Sequence, residues 1–66
     1  MSINEAVTKV NNKTPFIQCT GYKPLGIKLK PNNDVKKFSM YVEGELVDPE
    51  YTLKTYELDQ QWDVVE

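Results

Sequence analysis

The clearest pattern in the chain is an alternation of apolar and polar positions over residues 25–30. Leu25, Ile27 and Leu29 occupy every second position, and polar or small residues separate them. Because successive side chains of a strand point to opposite faces of a sheet, this alternation predicts a half-buried antiparallel strand with the three apolar residues inward and the lysines in water. A similar alternation over residues 38–42 predicts another strand.

The N-terminal residues show a helical spacing instead. Ser2 stands three residues ahead of Glu5, which is the spacing of a capping box, so a helix is predicted to begin there. Asn11 and Asn12 favour its end, because asparagine tolerates the left-handed conformation. So short a helix is marginal in water, and we expect it to pack on the sheet. Its apolar stripe consists of Ile3, Ala6, Val7 and Val10.

β-branched and aromatic residues predict two further strands. Phe16, Ile17 and Thr20 favour a strand over residues 14–20, and residues 62–65 favour a last strand at the C-terminus. Turn-forming residues separate the strands. The predicted turns lie at residues 21–24, at residues 31–34 and at Gly44, which marks a turn or a bulge.

Two short helical turns are predicted ahead of the last strand. The Asp-Pro-Glu sequence of residues 48–50 resembles a helix entry, with aspartate as the cap and proline in the first helical position. Thr55 can cap a second turn over residues 56–59. These elements predict an α+β fold, with an N-terminal two-turn helix packed on a small antiparallel β-sheet and a short helical turn before a C-terminal strand. Residues 1–66 are predicted to form a single domain.

The composition limits how this domain can be stabilised. The chain has 66 residues, one cysteine and no histidine. Cys19 cannot form an internal disulfide, and it is predicted to be a small buried apolar residue rather than a reactive thiol. A domain of this size buries only about 60% of the surface that its unfolded chain exposes. We therefore expect self-association, and we expect neither a metal site nor a cofactor.

The charge distribution disfavours two classes of partner. The formal net charge is −2, and all 8 basic residues are lysines. Nucleic-acid recognition favours arginine and a positive excess, so a nucleic-acid partner is not expected. No apolar run approaches the roughly 18 residues that cross a bilayer, and the N-terminus does not resemble a secretory signal. The sequence thus predicts a cytoplasmic protein without a membrane segment.

Most lysines lie in the middle of the chain, whereas most acidic residues lie from Glu43 onward. The lysine cluster has two interpretations, a solvated face that guards a sheet edge or a modest anion-binding patch. The central lysines are Lys23, Lys28, Lys30, Lys36 and Lys37.

Catalysis is not expected of this sequence. Without histidine the usual base near neutral pH is missing, and the isolated glycines do not form a phosphate-binding loop. Glu57 and Asp59 are a conceivable acid–base pair, but they are predicted to lie in a turn, where burial seldom shifts a pKa. We therefore assign no catalytic residue and expect a binding protein.

The aromatic residues supply the candidates for binding. Trp62 is predicted to close the core, because its indole is the largest apolar body in the chain. Tyr22 stands in a Gly-x-x-Pro turn beside Lys23 and has two interpretations. It is either a ring that stacks on a ligand or a lid over the end of the sheet.

The order of these features resembles a known family. A capped helix with Glu5 and Ala6 near its start leads to a strand and then to a Gly-aromatic-x-x-x-Gly turn at residues 21–26, and near the C-terminus Leu58 stands four residues before Trp62. In these respects the chain is similar to the small phage-encoded sponge proteins that counter the bacterial Thoeris defence by sequestering its cyclic ADP-ribose signal. Members of that family usually carry an arginine, a tryptophan and an aspartate where this chain has, respectively, Gln18 or Cys19, Tyr22, and Gln61.

The resemblance implies a homo-oligomer in the host bacterial cytoplasm that binds a cyclic nucleotide-type messenger in pockets between subunits. By position, it makes Tyr22 the stacking ring and Lys23 a phosphate partner, with Thr20, Asp59 and Gln61 as weaker ligand-binding candidates. Two other functions remain open. One is a phage inhibitor that blocks a host protein with its acidic C-terminal half, and the other is an accessory subunit of a larger assembly.

Overall fold

The computed structural model describes residues 1–32 and 37–66. These residues form one α-helix, two 3-10 helices and five strands. In chain order they are α1 (Ile3–Lys9), β1 (Phe16–Cys19), the 3-10 helix η1 (Thr20–Leu25), β2 (Ile27–Pro31), β3 (Lys37–Val42), β4 (Glu45–Thr52), the 3-10 helix η2 (Thr55–Asp59) and β5 (Trp62–Val65). The turn predicted at residues 31–34 lies partly outside the described residues, and Pro31 itself ends β2.

The strands of the described residues form one antiparallel sheet in the order β4-β3-β2-β1-β5. α1 packs against β5 and β1. The predicted α+β fold is therefore confirmed, including the short helical segment before the C-terminal strand. Since β5 returns to pair with β1, the end of the chain lies beside its first half, and η2 comes close to η1.

α1 begins where the capping box predicts. The Ser2 hydroxyl accepts a hydrogen bond from the backbone N–H of Glu5 at 3.2 Å and donates one to the Glu5 carboxylate at 3.3 Å. The helix ends at Lys9, slightly before the predicted stop. The side chain of Asn11 instead accepts two backbone N–H groups of the loop that follows, so it stabilises a turn after the helix.

A tight turn joins β3 to β4. Glu43 and Gly44 have positive φ angles of 51° and 85°. Two consecutive residues of this kind are typical of the type I′ hairpin, whose twist matches that of the flanking strands. Val42 pairs with Glu45, so the connection has two residues, and the turn predicted at Gly44 is confirmed.

The helical turn predicted at residues 48–50 is wrong, because these residues belong to β4. β4 lies at the edge of the sheet, where the missing N–H of Pro49 can face away from the neighbouring strand. The pairing with β3 shifts register twice, between Phe38 and Met40 and between Met40 and Tyr41. Such bulges take up extra residues without ending the strand.

The inward alternation predicted over residues 25–30 is wrong at its first position. β2 begins at Ile27, and Leu25 is 59% exposed because it ends η1. Gly26 separates the two elements in the left-handed conformation, with φ 69°. Glycine adopts this conformation without a steric cost, so the chain reverses here before the strand starts.

The other segments have the predicted type with small changes of boundary. β1 is shorter than predicted, β3 and β5 occur in place, and η2 begins at Thr55, with Lys54 rather than Thr55 as its cap residue. Trp62 is fully buried and Cys19 is 2% exposed, so both predictions for the core are confirmed. Among the residues that the structure describes, the buried apolar ones are Ile3, Ala6, Ile17, Cys19, Leu29, Phe38, Tyr51 and Trp62.

Candidate ligand-binding site

η1 replaces the turn predicted after β1 and carries three of the candidate residues, Thr20, Tyr22 and Lys23. The N–H of Gly26 donates to the carbonyl of Lys23 at 3.3 Å and so closes the helix. The N–H of Thr20 donates to the carbonyl of Gln61, also at 3.3 Å. The start of η1 is thereby tied to the residue that precedes β5.

Thr20 and Lys23 line a small cavity of about 160 Å³ beside η1, which we call the polar cavity. Gln18 and Asp63, a pair of directly opposed residues on β1 and β5, line it as well. The Gln18 amide donates to the carbonyl of Ile27 at 2.9 Å, which holds this side chain in place. The polar cavity thus combines an ammonium, a hydroxyl and a carboxylate, groups that can donate to and accept from a polar ligand. Its remaining lining residues are Cys19 and Val65.

Tyr22 points to a different neighbourhood from Thr20 and Lys23. Its ring is half-buried and meets the Trp62 ring edge-on, with the ring centres 6.1 Å apart. Its hydroxyl donates to the Glu57 carboxylate at 2.5 Å. The hydroxyl of Tyr56 lies 3.2 Å away, and it must be the donor to Tyr22, because the single proton of Tyr22 is already given to Glu57. Tyr22 therefore lies over the core at this end of the sheet while keeping part of its ring accessible.

Glu57 lies in the predicted helical turn of residues 56–59, but it is fully buried, which its place in a turn did not predict. Besides Tyr22, its carboxylate accepts the Tyr51 hydroxyl at 2.8 Å and the backbone N–H of Lys54 at 2.6 Å. Its backbone carbonyl accepts the indole N–H of Trp62 at 2.8 Å. A buried carboxylate needs such donors, because each unmatched oxygen would carry a desolvation penalty.

The two tyrosine hydroxyls bonded to Glu57 resist ionisation. Burial, followed by the hydrogen bond to Glu57, raises the pKa of Tyr51 to about 12. Burial is also the main cause that raises the pKa of Tyr22 well above its usual value, and the hydrogen bond to Glu57 adds to it. Both hydroxyls consequently remain protonated donors to the carboxylate throughout the neutral and mildly alkaline range.

A local signal for Glu57 was present in the sequence. Glu57 stands three residues after Lys54, the cap residue of η2, which is the position from which a glutamate side chain reaches back to the cap N–H. The sequence favoured Thr55 as the cap residue instead, and Glu57 stands only two residues after Thr55. The long-range partner of Glu57, Tyr22, is 35 positions away and could not be read from any local pattern.

The weaker candidates Asp59 and Gln61 do not line the polar cavity. Asp59 is exposed at the end of η2. Gln61 is exposed, and its side-chain oxygen accepts a hydrogen bond from the amino group of Met1 at 3.2 Å. The structure therefore brings Thr20 and Lys23 together and places Tyr22 next to them in the same helix, with Gln61 joined to that helix through its backbone.

A larger depression of about 580 Å³ lies elsewhere, where α1, the ends of β3 and β4, and η2 meet. Its lining is mainly apolar and includes Val7, Leu53 and the half-exposed Leu58. None of the candidate ligand-binding residues lines it. Within residues 1–32 and 37–66, no group of three acidic, cysteine or histidine residues is placed to hold a metal ion. None of the helices described here has the length and apolar character needed to cross a membrane.

Comparison with known proteins does not identify a family. No family model matches the chain, and no curated protein or solved structure is significantly similar to it. The resemblance to the anti-Thoeris sponge proteins accordingly stays a prediction made from the sequence.

Proposed function

We propose that the chain binds and sequesters a cyclic nucleotide-derived immune signal at an interface between copies of itself, as a phage counter-defence protein of the host cytoplasm. The observation that carries the proposal is the placement of Thr20 and Lys23 around one polar cavity, with Tyr22 beside them in η1. These were the positions to which the family resemblance assigned ligand contacts. In this role the protein binds without catalysing a reaction.

The chemistry of η1 suits a ligand with a phosphate and an aromatic base. The exposed ammonium of Lys23 is a point charge that attracts phosphate, and the Thr20 hydroxyl can donate to a phosphate oxygen. The accessible part of the Tyr22 ring offers a flat surface on which a base can stack. Asp63 in the same cavity disfavours a bare anion and favours a ligand that also carries hydroxyl or amine donors, as a nucleotide does.

The size of the polar cavity supports the need for a second copy. Pockets that enclose small-molecule ligands usually measure about 300–1,000 Å³. At about 160 Å³ the polar cavity accommodates only a part of a nucleotide. A second chain placed over η1 would supply the remaining contacts, and it would also bury surface that a chain of 66 residues cannot bury alone.

The test combines light scattering with titration calorimetry. We expect an oligomer in size-exclusion chromatography, and heat of binding with at least one cyclic ADP-ribose isomer or cyclic dinucleotide at micromolar protein. Lys23→Ala and Thr20→Ala should weaken binding, and Tyr22→Ala should abolish it. Lys9→Ala is the matched control, because it removes the same charge from the last turn of α1. A monomer that gives no heat with any of these nucleotides would refute the proposal.

A second candidate function is the blocking of a host protein. It is favoured by the exposure of acidic side chains in the second half of the chain, which would steer a basic partner surface toward it. The exposed acids there are Glu43, Glu45, Glu50, Asp59, Asp63 and Glu66. Pull-down from host lysate should then recover one stoichiometric partner whose binding weakens as salt rises. Recovery of no specific partner protein would contradict this alternative.

A further inference from the structure

We propose that Glu57 is the positioning residue of the ligand site. Its buried carboxylate holds Tyr22, and through Tyr22 the whole of η1, in the arrangement that a ligand meets. The inference rests on the proposed function for its ligand, but the anchoring of η1 that it requires can be measured without any ligand.

Glu57 joins four elements of the fold. It belongs to η2 and accepts Tyr22 from η1, Tyr51 from β4 and, through its backbone carbonyl, Trp62 from β5. Every one of these contacts is buried or partly buried, with donor–acceptor distances between 2.5 and 2.8 Å. Such a cluster fixes the relative positions of its members, because each oxygen accepts only from donors that lie in the right direction.

η1 depends on this cluster more than its neighbours do. All of its residues are exposed or half-buried, and the half-buried ring of Tyr22 is the part of η1 that packs against the core. Within the described residues, the side chain of η1 that bonds to a buried group is Tyr22, whose hydroxyl donates to the Glu57 carboxylate. Lys23 and Thr20 flank Tyr22 on the same short helix, so a shift of Tyr22 displaces the groups that line the polar cavity.

Stability alone does not explain a carboxylate at this position. The donors to its oxygens in the described structure are two hydroxyls and one amide, all of them neutral. Desolvation of a carboxylate is costly, and replacement of hydrogen-bonded partners by apolar groups of the same shape can be nearly neutral or stabilising. What the carboxylate adds, and a leucine would not, is a fixed direction for the Tyr22 hydroxyl. This is the property expected of a residue that serves a binding site.

The chain supplies its own matched control. Tyr22→Phe and Tyr51→Phe each delete one hydroxyl donor to the same carboxylate, the first from η1 and the second from β4. Both leave the aromatic ring in place, so neither removes packing or a stacking surface. If Glu57 only stabilises the fold, the two substitutions remove equivalent donors to its carboxylate, and Tyr22→Phe differs only in also removing the acceptor of the exposed Tyr56 hydroxyl. If it positions η1, they differ.

Hydrogen exchange measures the anchoring directly, with no ligand present. In Tyr22→Phe and in Glu57→Gln we expect the amides of η1 and of Gly26 to exchange at least about tenfold faster relative to those of β2, because local opening of η1 becomes easier. In Tyr51→Phe the same ratio should change less than about threefold. Equal ratios in Tyr22→Phe and Tyr51→Phe would overturn the inference, and this pair decides the matter even if Glu57→Gln fails to fold.

Binding measurements then connect the anchor to the site. With cyclic ADP-ribose as the probe, Glu57→Gln and Tyr22→Phe should raise Kd by about tenfold or more, whereas Tyr51→Phe should stay within about twofold of the unmodified chain. Glu57 is fully buried, so its effect on Kd cannot come from a direct ligand contact. Unchanged affinity in Glu57→Gln would overturn the positioning role. If the unmodified chain binds no cyclic ADP-ribose but the exchange pattern is as expected, the proposed ligand is refuted and the anchoring of η1 by Glu57 is not.

Discussion

The two 3-10 helices have the same type of backbone and opposite relations to the core. η1 consists of exposed and half-buried residues, and two of its candidate side chains, Thr20 and Lys23, line the small polar cavity. η2 contributes the fully buried Glu57, whose carboxylate and carbonyl are both hydrogen-bonded. The comparison shows how a small domain can offer a polar surface without losing order, since one segment is left accessible and its neighbour supplies the anchor.

Loss of the Trp62 indole should destabilise the two 3-10 helices most. The indole contacts the Tyr22 ring of η1 and donates a hydrogen bond to the Glu57 carbonyl of η2. Trp62→Ala should lower the free energy of unfolding by about 3–5 kcal/mol, which a domain of this size tolerates poorly. Denaturant unfolding followed by circular dichroism measures it. Leu25→Ala, at a side chain that is 59% exposed, is the control and should stay within about 0.5 kcal/mol. A small effect of Trp62→Ala would mean that the core does not depend on the indole.

The anchor itself is tested by Glu57→Gln. The amide keeps the shape of the side chain but loses one of the two acceptor oxygens. Replacement of Oε2 leaves the Tyr22 hydroxyl without its acceptor, and replacement of Oε1 leaves both the Tyr51 hydroxyl and the Lys54 N–H without theirs. We expect the free energy of unfolding to fall by about 1–3 kcal/mol. Asp59→Asn makes the same chemical change at the exposed end of η2 and should be nearly neutral. Equal effects of the two substitutions would contradict the difference between buried and exposed acids.

Alkaline pH should weaken the hydrogen bonds from the tyrosine hydroxyls to Glu57. The folded-state pKa of Tyr51 is about 12, above the ordinary value of 10.0, so its contribution to stability is complete below pH 10.0 and is lost as the pH rises toward 12. The raised pKa of Tyr22 acts in the same direction. Urea unfolding measured across this window should show a steeper decline for the unmodified chain than for Tyr51→Phe. Using that variant as the reference cancels the titration of the lysines, and identical slopes would argue against the raised pKa.

The smallest effect on stability is expected in η1. Lys23→Ala removes an exposed ammonium and should change the free energy of unfolding by no more than about 0.5 kcal/mol, while nucleotide binding falls. Thermal unfolding and calorimetry on one preparation provide both values. A marked loss of stability would show that Lys23 is part of the scaffold rather than of the accessible surface.

Local patterns were sufficient for most of the elements. The Ser2 cap, the alternation in β3 and the run before the C-terminus each depend on neighbours in sequence, and each element formed where it was predicted. Leu25 shows the limit of such patterns, since it continues the alternation of β2 in the sequence but belongs to η1, and Gly26 in the left-handed conformation separates it from the strand. Pro49 likewise favours the start of a helix by local rules. A strand can contain it here because β4 lies at the edge of the sheet, where its missing N–H can face away from the neighbouring strand.

The candidate site was predictable only in part. The Gly-x-x-Pro turn placed Tyr22 and Lys23 in one segment, and η1 carries both, but Tyr22 packs against Trp62 whereas Lys23 lines the polar cavity. The burial of Glu57 could not be predicted from local patterns, because it depends on the return of β5 to β1. That return brings two segments 35 positions apart into contact. The predicted place of Glu57 in a short turn did not lead us to expect burial, yet tertiary packing buries it fully.

The irregular β4 has a consequence for how copies of the chain can associate. Pro49 and two register shifts interrupt the hydrogen-bonding groups along this outer strand, the longest of the described sheet. A strand from another molecule would find few consecutive groups with which to pair, so growth of the sheet into an open-ended fibre is disfavoured on this side. Association through side-chain surfaces, in closed assemblies with a fixed number of copies, is the mode that such an edge permits.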